Sequence, residues 1–250
     1  MPEDSDRDLR ASLSDLSEAL TGRQPLSVTL VRVASLAVAA VPGADGAGLT
    51  LIEAYGPDTL VSSAPFVDEV DAVQYGIGEG PCLLAVATRI TQRSGSLGAE
   101  TRWPRFGPQA GQMGVHSALS VPMLLSGRVV GALNIYAHDR EAFDERSARA
   151  GEEFSRSAAV TSAHALLLEE SRRETAHLER ALTTRATIDQ AIGIIVSRTG
   201  KPPEEAFEVL RRQSQREHVK LNEVAALVVA QARARARARL RIPGPAERGD

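Results

Sequence analysis

Cys82 is the one cysteine in 250 residues. A thiol acts as a nucleophile or redox sensor once it ionises. A lone cysteine at a helix start reads first as a buried small apolar residue that packs well. Without a second cysteine there is no intramolecular disulfide. Without a C-x-x-C pair, the usual structural zinc and iron–sulfur sites are excluded. The five histidines, His116, His138, His164, His177 and His218, show no H-E-x-x-H spacing. No Ser–His–Asp set or carboxylate pair stands out, so no catalytic residues and no metal site are assigned. Gly76 to Cys82 (GIGEGPC) is glycine-rich enough to cradle a phosphate. It lacks the Lys-Ser/Thr ending of a P-loop and a strand-to-helix Rossmann setting. It reads as a tight entry into a helix at Leu83, whose first N–H groups could still face a ligand.

The other chemistry is charge. Up to position 170 the chain has 13 basic and 22 acidic residues; beyond it, 16 basic and 10 acidic. The overall net charge of −3 therefore hides an acidic part at −9 and a basic part at +6. Such asymmetry suggests two parts, with a polyanion or acidic partner for the second. Arg180, Arg185, Arg198, Lys201, Arg211, Arg212, Arg216 and Lys220 could meet phosphates, or they form an ordinary solvated face balanced by Glu179, Glu204, Glu205, Glu208 and Glu217. Aromatics are only 4%, so the core must be built from Ala, Val, Leu and Ile, and base stacking is scarce. Phe207 is the one aromatic of the basic part, on a helix face with Ala206, Val209 and Leu210 that reads as core.

These residues need elements to hold them. Leu9, Leu13, Leu16 and Leu20 share one helical face, which Gly22 ends. Pro25 opens a second helix, closed at Pro42-Gly43. Residues 48–53 and 60–64 read as strands around a turn at Tyr55 to Asp58, 68–75 and 83–88 as short helices, and 117–125 and 129–137 as a hairpin. Pro122 suits a bulge or an edge. Asp144 is a plausible N-cap for a helix with no breaker before Gly200. Pro202-Pro203 opens another helix, and Leu221 to Val228 lies in a third. Gly193 needs a reason inside a helix, and close helix–helix approach is the expected one, with Ala191, Ala206 and Ala225 as tight packing positions. Alternating Ala and Arg from Ala232 to Arg241 make a solvated extension, with disorder expected after Pro243. The acidic N-terminus and the lack of a long apolar run point to a cytoplasmic protein with no membrane segment.

Taken in order, GIGEGPC at 76–82, TRWP at 101–104, SALSVPM at 117–123, GALNIY at 131–136 and AFD at 142–144 resemble the GAF sensor domain of actinobacterial regulators. The runs 178–200, 202–215 and 220–229 resemble the ANTAR domain, a three-helix RNA-binding module of transcription antiterminators. Ile192 stands where that family commonly has Lys. The resemblance implies an α+β GAF domain, with an antiparallel sheet flanked by helices, joined by a long helix to an all-α ANTAR domain. The expected divisions are an N-terminal helix at 1–24, GAF at 25–165, a helical linker at 166–177, ANTAR at 178–232 and an Arg-rich tail at 233–250.

It further implies a ligand-responsive regulator that stabilises leader-RNA hairpins, with no catalytic step. The expected RNA contacts are Arg185, Gln190, Arg211, Arg212, Ser214 and Lys220, although Ser214 also suits a bond back to its own turn. The expected pocket residues are Leu51, Gly78, Cys82, Trp103, His116, Leu119 and Asn134. An unknown small molecule is the expected ligand. His116 reads as a hydrogen-bonded pocket residue before a haem ligand, so no cofactor is assigned. Paired hairpins with six-nucleotide loops, as relatives recognise, suit a homodimer with one loop per subunit. The alternatives are a redox sensor or sulfoxide reductase using Cys82, which would lack a resolving cysteine, and a protein-interaction module.

Overall fold

The structure is a computed structural model and describes residues 2–19, 24–53 and 56–240. The chain separates into two units between Glu170 and Ser171, within one helix.

In the first unit, β1 (Gly46–Glu53), β2 (Gly56–Ser62), β3 (Gln92–Ser94), β4 (Ser117–Leu125) and β5 (Arg128–Ala137) form an antiparallel sheet in the order β2-β1-β5-β4-β3. The helices are α1 (Pro2–Ala19), α2 (Leu26–Ala40), α3 (Pro65–Ile77), α4 (Pro81–Thr88), α5 (Phe106–Gln112) and α6 (Glu145–Thr199). This is the expected α+β architecture, and α6 is the expected long helix.

Side chains alternate across a strand, and here the alternation divides the sheet by chemistry. Odd-numbered Leu49, Leu51, Leu119, Val121, Leu133 and Ile135 pack in one apolar cluster with α1, α2 and the start of α6. Even-numbered Gly46, Gly48, Thr50, Ser120, Asn134 and Tyr136 face α3 and α4. At these central positions the odd face is apolar, and the even face is small or polar.

Several local rules are visible. The β4–β5 turn is Ser126-Gly127, both with positive φ (50° and 78°), the geometry that suits a two-residue hairpin. Pro122 pairs with Ala132 of β5, while β3 reaches only Ala118 to Ser120 on the other side of β4. Its missing N–H therefore falls where β4 is locally an edge, next to a register shift at Met123/Leu124. Asp144 caps α6: its carboxylate accepts the N–H groups of Arg146 (2.9 Å) and Ser147 (2.8 Å).

Some expectations need correction. Gly56 to Asp58 belong to β2 and not to a turn, with Pro57 opposite Ile52 on the outermost strand. Tyr55 lies outside the described residues, as do Gly22 and the segment after Pro243. The short elements β3 and α5 carry no periodicity long enough to read in the sequence.

In the second unit, the end of α6 packs with α7 (Pro203–Glu217) and α8 (Leu221–Leu240). The core is Ala191, Ile195, Ala206, Leu210, Val224 and Ala225. Gly200 (φ 68°) ends α6 and His218 (φ 54°) ends α7, both left-handed. Ile192, at the position usually Lys in the family, packs against this core. The three alanines behave as expected, but Gly193 does not: a Cβ built on it meets nothing within 4 Å, so close helix approach does not explain it. Phe207 is only half-buried, and Val209 is exposed. Part of the Arg-rich tail is helix, since α8 runs to Leu240. Among the described residues, no helix is long and apolar enough to cross a membrane.

Candidate functional site

The even face of the sheet and the two helices above it hold a buried polar network. Gly46 and Gly48 let α3 approach closely. A Cβ on Gly46 would lie 2.6 Å from Val67, and one on Gly48 would lie 2.7 Å from the Asp71 carboxylate. That approach places Asp71 over β5, where Asn134 Nδ2 donates to Oδ1 (3.2 Å) and the Tyr136 hydroxyl donates to the same oxygen (2.6 Å). Ser120 donates to Asn134 Oδ1 (3.0 Å), and Gln74 Nε2 reaches Asp71 at 3.4 Å. Asp71 is 4% exposed, and Ser120, Gln74, Asn134 and Tyr136 are fully buried.

Burial pushes the Asp71 carboxyl up to about 6, against the opposing pull of hydrogen bonds from Tyr136 and Asn134. Burial likewise raises the Tyr136 and Tyr75 phenols.

Cys82 closes the network. Its N–H donates to Gln74 Oε1 (2.8 Å), and its Sγ lies 3.1 Å from the Tyr75 hydroxyl, which in turn lies 2.5 Å from Thr50 Oγ1. The first N–H of α4 with a potential ligand role is therefore taken by Gln74. Cys82 is 1% exposed, and burial pushes its thiol up to about 11, so it keeps its proton at neutral pH.

The glycine-rich run explains this placement. Gly78 (φ 70°) ends α3 in the left-handed conformation. Gly80 admits the Gln74 side chain, and Pro81 starts α4. Glu79 accepts the N–H groups of Arg105 (2.7 Å) and Phe106 (3.0 Å), fixing the start of α5. The loop thus works as a packing joint.

Of the expected pocket residues, Asn134 and Cys82 meet in this network, with Gly78 at the joint beside it. Leu51 and Leu119 lie in the apolar cluster on the opposite face of the sheet. Trp103 is buried with Leu97, Phe106 and Val115, and the Arg102 guanidinium lies 4.4 Å from its ring centre. His116 contributes its backbone to the sheet edge, where its N–H donates to Ala137 O (3.0 Å) and its carbonyl accepts from Leu97 (2.8 Å). Sequence reasoning misses Thr50, Asp71, Gln74, Tyr75, Ser120 and Tyr136. The signal that could find Tyr136 is its place in the even-numbered series with Asn134. The three α3 residues read only as one short helix.

In the basic unit, the Arg185 side chain is 84% exposed and lies 4.0 Å from Asp189. Arg211 is paired with Glu208 (2.9 Å), and Arg212 and Lys220 are exposed. The Ser214 hydroxyl donates to Val219 O (2.6 Å) and so braces the α7–α8 turn. Gln190 lies in a trough between α6 and α8 of about 560 Å³, together with Gly193, Ile194, Val229 and Arg233. A second trough of about 460 Å³ shares Gln190 and Arg233 and adds Thr187 and Arg237. Neither Arg211, Arg212 nor Lys220 lines these troughs.

Family models match both units: a GAF domain over residues 24–161, more than half of the chain, and an ANTAR domain over residues 176–229. No curated protein matches the chain in sequence. Among solved structures, the GAF domain of a phosphoenolpyruvate-protein phosphotransferase from Coxiella burnetii is 18% identical, with 64% of this chain and 96% of that chain covered at a TM-score of 0.52. The free methionine-R-sulfoxide reductase of Neisseria meningitidis is 19% identical, covering 64% of this chain and 91% of that one at a TM-score of 0.47. The first of these likenesses supports the fold alone.

Proposed function

The chain belongs to the GAF domain family and carries an ANTAR domain behind it, and from that premise we propose a ligand-responsive RNA-binding regulator that promotes transcription antitermination. The observation that carries the reading is the ANTAR match falling on the basic three-helix unit. Exposed arginines there would displace counterions from phosphates, and Arg185 and Lys220 would position the RNA. Binding would stabilise leader hairpins against a competing terminator.

The sensor is the even face of the GAF sheet. A small polar ligand would enter by replacing the hydrogen bonds that Asn134 and Tyr136 now give to Asp71. To control the switch it must bind one RNA-binding state more tightly than the other. No catalytic step belongs to this reading: a buried, protonated Cys82 thiol is a poor nucleophile. The site of action is the cytoplasm, where nascent leader RNA is found.

The working form is a homodimer joined along α6. Leu178 (56%) and Leu182 (69%) are exposed one helical turn apart on that helix, and Leu167 and Val160 are exposed nearer its start. Leu178 and Leu182 are the apolar residues that a second copy would cover.

The deciding experiment is a gel-shift series with paired-hairpin RNA, the same RNA with scrambled loops, and duplex DNA. Preference for the paired hairpins is expected. Equal binding to all three removes antitermination as the function. Arg185→Ala and Lys220→Ala should each weaken binding and flatten its salt dependence, and unchanged affinity in both would place the RNA on another face.

A further inference from the structure

The cations of the second unit fall into two groups. Arg185, Lys201 and Arg211 are each matched by a carboxylate on their own helix or the next turn, at Asp189, Glu205 and Glu208. Of the cations that form no ion pair among the described residues, Arg198, Arg233 and Arg237 line the two troughs beside α8, and no Asp or Glu lines them. Their charge is therefore left for something outside the fold. Arg233 and Arg237 lie one turn apart, beyond residue 229 where the ANTAR match ends, so they belong to this chain's own extension of α8.

Between the helices the surface is low. Gly193 has open space where a side chain would stand, and Ala232 and Ala236 face it from α8. The result is a shallow apolar floor, with the Gln190 amide at one end and arginines along the rim.

We propose that this trough is an RNA site: one unstacked nucleotide lies over Gly193, with its flanking phosphates on Arg233, which lines both troughs, and on Arg237 of the adjoining one. The floor suits the face of a base, an amide that both donates and accepts suits a base edge, and a wholly cationic rim suits phosphate. This rests on the RNA-binding reading above and deepens it. It also accounts for a glycine that costs helix stability without any packing gain.

The test uses the full chain and a synthetic RNA with two hairpins bearing six-nucleotide loops, titrated at several salt concentrations. Gly193→Leu fills open space, so the fold should hold or melt higher. Its affinity should fall about tenfold, the scale of one lost base contact, with the salt slope unchanged. Gly193→Ala, adding only a methyl group, should bind nearly as wild type. Arg233→Ala combined with Arg237→Ala should lower the slope of log K against log salt by about 1.5. If wild type binds and both the Gly193→Leu and the double-arginine variants bind equally well, the trough is not the site and the RNA reading stands. If wild type binds no RNA, the function itself is wrong and the trough falls with it.

Discussion

Asp71 is a carboxyl that the fold holds in a dry place among three donors, and its protonation should be visible in stability. Its pKa is about 6 in the folded chain against an ordinary value of 3.8. Between these values the unfolded chain has released a proton that the folded chain keeps. This group therefore favours folding fully below about pH 4, and the advantage is lost as pH rises to about 6. The difference corresponds to about 3 kcal/mol at most. Asp71→Asn should remove this contribution, so stability relative to wild type should improve between pH 4 and 7. Urea denaturation at the two pH values measures it, and a parallel pH profile would mean that Asp71 titrates normally. Cys82 offers a second residue-scale prediction. A thiol 1% exposed should resist Ellman's reagent at pH 8 until denaturant is added. Rapid labelling of the native chain would show an open site. Cys82→Ser should keep RNA affinity, at a stability cost of about 1 kcal/mol.

The elements were legible in the sequence where their signals were long or chemically marked. The 55-residue α6 could be read from the absence of a breaker, and its start from Asp144. The β4–β5 hairpin could be read from two apolar runs around Ser126-Gly127. Asp144→Ala should cost about 1 kcal/mol, read from the thermal transition, because two N–H groups of α6 lose their acceptor. Less legible were elements held by neighbours. A three-residue strand such as β3 exists because β4 offers it an edge, and α5 begins where Glu79, distant in sequence, accepts its first N–H groups. Of the buried network the sequence names only Asn134 and Cys82, and Asp71 joins them only through the approach of α3 over Gly48. Gly48→Val should therefore destabilise by about 1–3 kcal/mol, because the new side chain collides with Asp71 and Val67. A circular-dichroism melt indistinguishable from wild type would show that α3 sits further from the sheet than described.

For the whole molecule, the split between −9 and +6 should appear as opposite behaviours in one chain. RNA affinity should fall steeply with salt, whereas the thermal stability of the apolar-cored first unit should change little. Replacing Leu178 and Leu182 with Lys should convert a dimer to a monomer in sedimentation equilibrium with helicity preserved, and an unchanged mass would place the subunit contact elsewhere. The sheet carries a consequence for how such a protein can diversify. Its odd-numbered positions share one requirement, apolar volume, and tolerate exchange among similar residues singly. On the even side, Ser120, Asn134 and Tyr136 are tied by hydrogen bonds to each other or to Asp71 of α3, so a single change strands a partner while a matched pair of changes can be nearly neutral. Descendants of this chain should therefore change Asp71, Asn134, Tyr136 and Ser120 through coupled substitutions, leaving a covariation signature on one side of the sheet and independent drift on the other.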